Sequence, residues 1–128
     1  MTIIEVMFAI VILSGVMLSL SRFGQSFTRA ARNAANLTIA SDLATARVEA
    51  ARAHATYGTL VSTFNSAVET SATSGANPSM AGNPGYTRTT LATRTVTDTT
   101  DFVTVTVTVT AEVLAKPIAK TTIIGAFP

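Results

Sequence analysis

The sequence of 128 residues contains no cysteine, and its single histidine is His54. Disulfides, thiolate metal sites, haem-attachment motifs and cysteine nucleophiles are therefore excluded, as is a multi-histidine site within one chain. Charge is also scarce. Asp, Glu, Lys and Arg make up 12% of the chain, about half the usual share, and the mean hydropathy is +0.43. Such a chain is too apolar for disorder and unusually apolar for a free soluble monomer. Nine basic against seven acidic side chains leave a net charge of +2, too slight to argue for nucleic acid. No proline occurs before Pro78. What remains is a membrane-inserted or self-assembling protein.

The apolar residues are concentrated at one end. From Met1 to Ser21 the only ionisable side chain is Glu5, and Val6 to Leu20 reads V-M-F-A-I-V-I-L-S-G-V-M-L-S-L. About twenty helical residues match the roughly 30 Å hydrocarbon core of a bilayer. A buried core helix would keep a polar face, and this segment is apolar all round. A secretory signal peptide would open on Lys or Arg and close on a small-residue cleavage site. Hydropathy therefore predicts a membrane-resident helix. Glu5 is the exception within it: a carboxylate there needs the interface, the positive end of the helix dipole, or a cation. The nearest cation is the α-amine of Met1, from the same chain or from another copy.

M-T-I-I-E-V-M-F-A-I-V-I-L-S-G resembles the mature N-terminus of type IV pilins and of their relatives, the type II secretion pseudopilins. The matching positions are Met1, Thr2, Ile3, Ile4, Glu5 and Val6, followed by the apolar run. The resemblance is close over about the first 25 residues and loose, in the helix-then-sheet layout, over the rest. It implies a leader removed before Met1 by a prepilin peptidase, and α-N-methylation of Met1. It also implies an inner-membrane pool drawn on by a pilus assembly machinery, and a homopolymeric extracellular filament in which Glu5 meets the Met1 amine of a neighbouring subunit. Two features depart from the family: Arg22 stands where many pilins carry a kinking proline, and the C-terminal cysteine pair is missing.

Beyond Ser21 a seam of period near 3.5 continues through Phe23, Phe27, Ala30, Ala34, Leu37, Ser41, Ala44, Val48, Ala51 and Ala55. Alanine dominates, and Tyr57-Gly58 supplies a stop, which predicts one rod of about 55 residues. Seam residues after Phe27 are mostly too small for a strong coiled coil and suit close approach of several helices. Gly15 and Gly24 each weaken the helix, so melting between them and an unbroken helix are both open. Arg22, Arg29, Arg32, Arg47 and Arg52 give the expected exposed part of the rod five cations, against two acids, Asp42 and Glu49. They are expected on a solvated face or against acids of neighbouring subunits, with Arg22 near lipid headgroups and Glu49 paired to Arg52. They lack an interleaved aromatic platform, so no nucleic-acid partner is expected.

After Gly58, Leu60, Val61, Phe64, Ala67 and Val68 suit a short amphipathic helix capped by Thr59. Ser71 to Gly85 reads as a surface loop. Its glycines fit neither a P-loop nor a dinucleotide fingerprint. Tyr86–Thr97, Phe102–Leu114 and Ile118–Phe127 are predicted strands, with a turn at Ala115-Lys116-Pro117. The alternation V-T-V-T-V-T-V-T from Val103 to Thr110 places Val103, Val105, Val107 and Val109 towards the long helix. Fourteen of the 23 threonines lie beyond residue 85. Strand preference accounts for them, with bacterial O-glycosylation the sharper alternative. Asn36-Leu37-Thr38 fits an N-glycosylation pattern inside the predicted helix and is read as coincidental.

No nucleophile elbow or carboxylate pair is evident, and His54 reads as an exposed helix residue, so no enzymatic activity and no cofactor are expected. Asp98 and Asp101 are expected to form an Asx-type turn; two carboxylates fall short of a calcium site. The expected fold is α+β: a membrane or filament-core helix over 1–22, its continuation on a sheet over 23–57, a connecting region over 58–85, and a three- or four-stranded antiparallel sheet over 86–128. The expected function is that of a filament subunit. The alternatives are a minor pilin or pseudopilin of a type II secretion-like system, and a membrane-anchored binding module that never polymerises.

Overall fold

The computed structural model describes residues 2–126. It is α+β: one long helix, α1 (Ile3–Arg52), then a 3-10 turn (Tyr57–Thr59), a short helix α2 (Leu60–Phe64), and strands β1 (Ala67–Thr70), β2 (Tyr86–Val96), β3 (Asp101–Ala111) and β4 (Ile118–Gly125). The chain divides into two compact units, residues 1–35 and residues 36–128.

The first unit is helical throughout from Ile3, including both Gly15 and Gly24, so the glycines do not interrupt α1. Polar side chains within it bond back onto the helix. Ser14 donates to the carbonyl of Ile10 at 2.7 Å and Ser19 to that of Gly15 at 2.9 Å. In an apolar medium such internal bonding is required, because no water is present to satisfy a hydroxyl.

The second unit begins with the last turns of α1 and contains the core. Its sheet is a four-stranded antiparallel meander in the order β1-β2-β3-β4. The Val-Thr alternation sets the faces as predicted. Val103, Val105, Val107 and Val109 are each 0% exposed, and Thr106 stands on the opposite face with its hydroxyl 3.0 Å from that of Thr121. Against the valines pack Ala40, Leu43, Ala44, Val48 and Ala51 of α1, closed over by Leu60, Phe64 and Met80. Small residues on the helix let it lie close to the β-branched sheet. Of the sequence seam, Ala44, Val48 and Ala51 are core, whereas Phe23, Phe27, Ala30 and Ala34 are exposed.

Three boundaries differ from expectation. The helix ends at Arg52 rather than Tyr57-Gly58. Ala53 and His54 donate to the carbonyls of Glu49 and Ala51, and the chain then leaves the axis to seat His54 edge-on against Phe64, ring centroids 5.5 Å apart. The amphipathic helix stops at Phe64, and Thr59 provides no side-chain cap; its hydroxyl bonds to the carbonyl of Thr56 instead. Ser66, at φ +59°, reverses the chain, so that Ala67 and Val68 belong to β1. The sheet therefore starts at Ala67 rather than 86. Of the predicted last strand, Phe127 lies outside the described residues.

Candidate assembly site and the distribution of charge

The N-terminus of α1 is organised by Thr2 and Glu5. The carbonyl of Thr2 accepts from the amides of Glu5 (3.1 Å) and Val6 (3.3 Å), while Glu5 Oε2 accepts from the Thr2 amide at 3.4 Å. This is one arm of a capping box, in which a glutamate three residues after a threonine satisfies a free helix amide. The signature T-I-I-E was present in the sequence and was not part of the expectation. Glu5 is exposed. Met1, the expected partner and modification site, lies outside the described residues.

Behind Glu5 the helix presents an apolar surface on every side. Thirteen large apolar side chains from Ile3 to Leu20 are between 40% and 83% exposed, and none of the apolar stretch is buried. It is the one helix among the described residues long and apolar enough to cross a membrane.

The five rod arginines separate into two groups. Arg22, Arg29 and Arg32 are exposed, and among the described residues none of them forms an ion pair. Arg52 pairs with Glu49 at 2.9 Å as expected, and its Nε also donates to the Thr122 hydroxyl of β4 at 3.0 Å. Arg47 departs from expectation altogether: it is 4% exposed and faces the sheet rather than solvent or another subunit.

Arg47 belongs to a buried triad with Glu69 of β1 and Arg88 of β2. Glu69 and Arg88 are directly opposite in the β1–β2 ladder. Arg88 donates through Nε (2.8 Å) and Nη2 (2.7 Å) to Glu69 Oε2, and Arg47 Nη2 lies 3.3 Å from Oε1. The surplus guanidinium charge is met by main-chain carbonyls, those of Asn77, Pro78 and Leu43, and by the Thr90 hydroxyl. Phe64 covers one face of Arg47, its ring centre 4.5 Å from the guanidinium carbon. Burial lowers the Arg47 pKa, Glu69 opposing that shift and Arg88 adding to it. Sequence reasoning missed this cluster, although Arg88 at an inward position of the predicted strand from Tyr86 was a signal: a charge on a core face requires a partner.

A second cluster closes the other end of the sheet. Asp101 accepts from Arg94 in a bidentate pair and from the Tyr57 hydroxyl at 2.7 Å. The Arg94 bonds first, and the Tyr57 bond second, hold the Asp101 pKa down to about 2. The tyrosine is pushed up, first by burial and then by the same carboxylate. The expected Asx turn is not what forms the connection: the main-chain amide and hydroxyl of Thr97 bond Thr100, Asp98 is exposed, and Asp101 is committed to the ion pair. His54 is half-buried outside the helix, 2.9 Å from the Thr59 hydroxyl. Among the described residues, no group of three or more His, Cys, Asp or Glu side chains could hold a metal ion.

The charges of the second unit are thus largely spent on one another. In the first unit stand the apolar run, Glu5 with only the Thr2 amide as partner, and three arginines without an ion pair among the described residues. Compared with family models, curated proteins and solved structures, the chain matches none.

Proposed function

We propose that the chain is a structural subunit, a pilin, of an extracellular type IV pilus-like filament. The carrying observation is an exposed helical segment, apolar on every side, with a lone glutamate at position five in its first turn, in a chain that also holds a folded sheet unit. Before assembly the bilayer of the inner membrane covers Val6 to Leu20. During assembly the equivalent helices of neighbouring copies replace lipid, and Glu5 pairs with the Met1 amine of an adjacent subunit. An unpaired carboxylate in that core would cost several kcal/mol, so a copy docked out of step is rejected and axial register follows. Processing before Met1 by a prepilin peptidase and delivery by an assembly machinery belong to the same proposal.

A second reading has an observation of its own. The Thr2 amide already gives Glu5 a partner within its chain, which suits an anchor that holds a binding module at a membrane and never polymerises. Substitution separates the two. Under the filament reading, Glu5→Ala accumulates in the membrane at normal levels but enters sheared surface filaments poorly. Glu5→Gln, which keeps a capping acceptor without the charge, is impaired to a lesser degree. Filament yields from Glu5→Ala equal to wild type, by electron microscopy and mass spectrometry of sheared material, would overturn the charge-register mechanism. Absence of filaments from the wild-type chain would favour the anchor.

A further inference from the structure

Resting on the membrane part of that reading, we propose that Arg22, Arg29 and Arg32 bind the headgroups of anionic phospholipids. Along α1, at about 100° per residue, these three side chains fall within an arc of about 80°, with Gln25 between them. Phe23 and Phe27 lie roughly 100–180° away from these arginines, on another face. The arginine face is exposed, and its cations form no ion pair among the described residues. No acidic residue occurs from Val6 to Ser41, so nothing on the flanking helix cancels them.

Their axial positions fit a bilayer surface. Arg22 lies about 3 Å beyond Leu20, Arg29 about 14 Å and Arg32 about 18 Å. The headgroup zone extends roughly 5–8 Å beyond the hydrocarbon core. Helical side chains tilt towards the N-terminus, which here is towards the apolar run, so the guanidinia of Arg29 and Arg32 reach back towards the phosphates. The remaining gap is comparable to the Debye length of about 8 Å at physiological ionic strength. Arginine suits the task because its planar fork bonds phosphate oxygens in pairs. Continuity with the apolar run favours lipid over nucleic acid: once Val6 to Leu20 is inserted, the arginines are held at the membrane surface.

The test uses the full chain reconstituted in phosphatidylcholine vesicles carrying trace spin-labelled phosphatidylglycerol or spin-labelled phosphatidylcholine. The wild-type chain should immobilise phosphatidylglycerol in preference to phosphatidylcholine by about threefold or more, with the preference falling towards one in about 0.5 M salt. Arg22→Gln/Arg29→Gln/Arg32→Gln should abolish the preference while the chain still floats with the vesicles, because glutamine is a good helix former. Equal immobilisation of the two lipids by wild type, or a preference retained by the triple variant, overturns the proposal alone. Duplex DNA binding to the detergent-solubilised chain without a lipid preference would assign the arginine face to nucleic acid instead. Failure to float with either vesicle removes the membrane reading and this inference together.

Discussion

Replacing Glu69 by alanine isolates what holds the second unit together apart from its valines. The carboxylate is 6% exposed, and its two cations are 4% (Arg47) and 0% (Arg88) exposed. Removing it leaves two guanidinia buried near each other, held only by carbonyls and a hydroxyl. Breaking a buried pair by deleting one partner costs about 3–5 kcal/mol. Because one carboxylate here serves two cations, we expect the upper half of that range. A unit of about ninety residues has a total stability on the order of 5–14 kcal/mol, so the loss is a third of it or more, and the melting temperature should fall on the order of 20 °C. Urea unfolding of the fragment 36–128, which contains the whole core, measures the change. Glu69→Gln should lie close to Glu69→Ala, since it restores shape without charge. Replacing all three residues by apolar ones (Arg47→Met/Glu69→Leu/Arg88→Met) should recover much of the loss, because no orphaned charge remains. A Glu69→Ala cost below about 1 kcal/mol, within the range of an exposed ion pair, would refute the assigned burial and pairing.

Val107→Asp should cost several kcal/mol by burying an unpaired charge, whereas Thr106→Asp on the outer face should cost under about 1 kcal/mol, both read by the same urea titration. Asp101 has its pKa lowered to about 2 from an unfolded value near 3.9. Its contribution is therefore complete above about pH 4 and is lost as the pH falls towards 2. Thermal melts across that window should show an acid limb that Asp101→Asn flattens. Peptide mass analysis of chain purified from filaments should show α-N-methyl-Met1; a formylated or unmodified Met1 there would count against the pilin reading.

How much was legible in the sequence depended on whether a signal was local. The alternation in β3 fixed its buried face because side chains alternate strictly along a strand and one face must be core. The apolar run was legible for the same reason: its composition does not depend on any partner. β1 was not. Leu60, Val61, Phe64, Ala67 and Val68 fit a helical period, and only the cross-strand ladder with 87–90, some twenty residues away, makes 67–70 a strand. The helix end was misplaced likewise, since the signal at Tyr57-Gly58 is overridden by contacts of His54 with Phe64 and of Tyr57 with Asp101. Arg47 looked like a surface residue because helical spacing alone cannot show that two strand residues supply its carboxylate and its second cation. At the candidate site, Glu5 was legible as an anomaly, but its carboxylate has two donors within reach in sequence, the Met1 amine and the Thr2 amide, and spacing alone does not rank them.

The magnitudes explain why the first unit needs a partner of some kind. Fully burying a large apolar side chain is worth about 1.5–3 kcal/mol, so leaving thirteen of them between 40% and 83% exposed to water forgoes on the order of 20 kcal/mol. That exceeds the whole stability expected of the second unit. Lipid and a bundle of like helices relieve this equally well, since both are apolar, and the run itself therefore does not distinguish an anchor from a filament. The charges at its ends do. Glu5 is tolerable at a bilayer interface with only the Thr2 amide as partner, but deep in a helix bundle it needs a cation. The three arginines act at the other end. Positive flanks are retained on the cytoplasmic side of a membrane, so Arg22, Arg29 and Arg32 by themselves would draw the second unit inwards, whereas a filament requires it outside. A more strongly basic stretch in the leader that the pilin resemblance implies ahead of Met1 would reverse that bias. The anchor reading has no need of the reversal. The side of the membrane on which residues 36–128 reside is consequently as discriminating as the fate of Glu5→Ala. A second unit held in the cytoplasm in native membranes would exclude the filament.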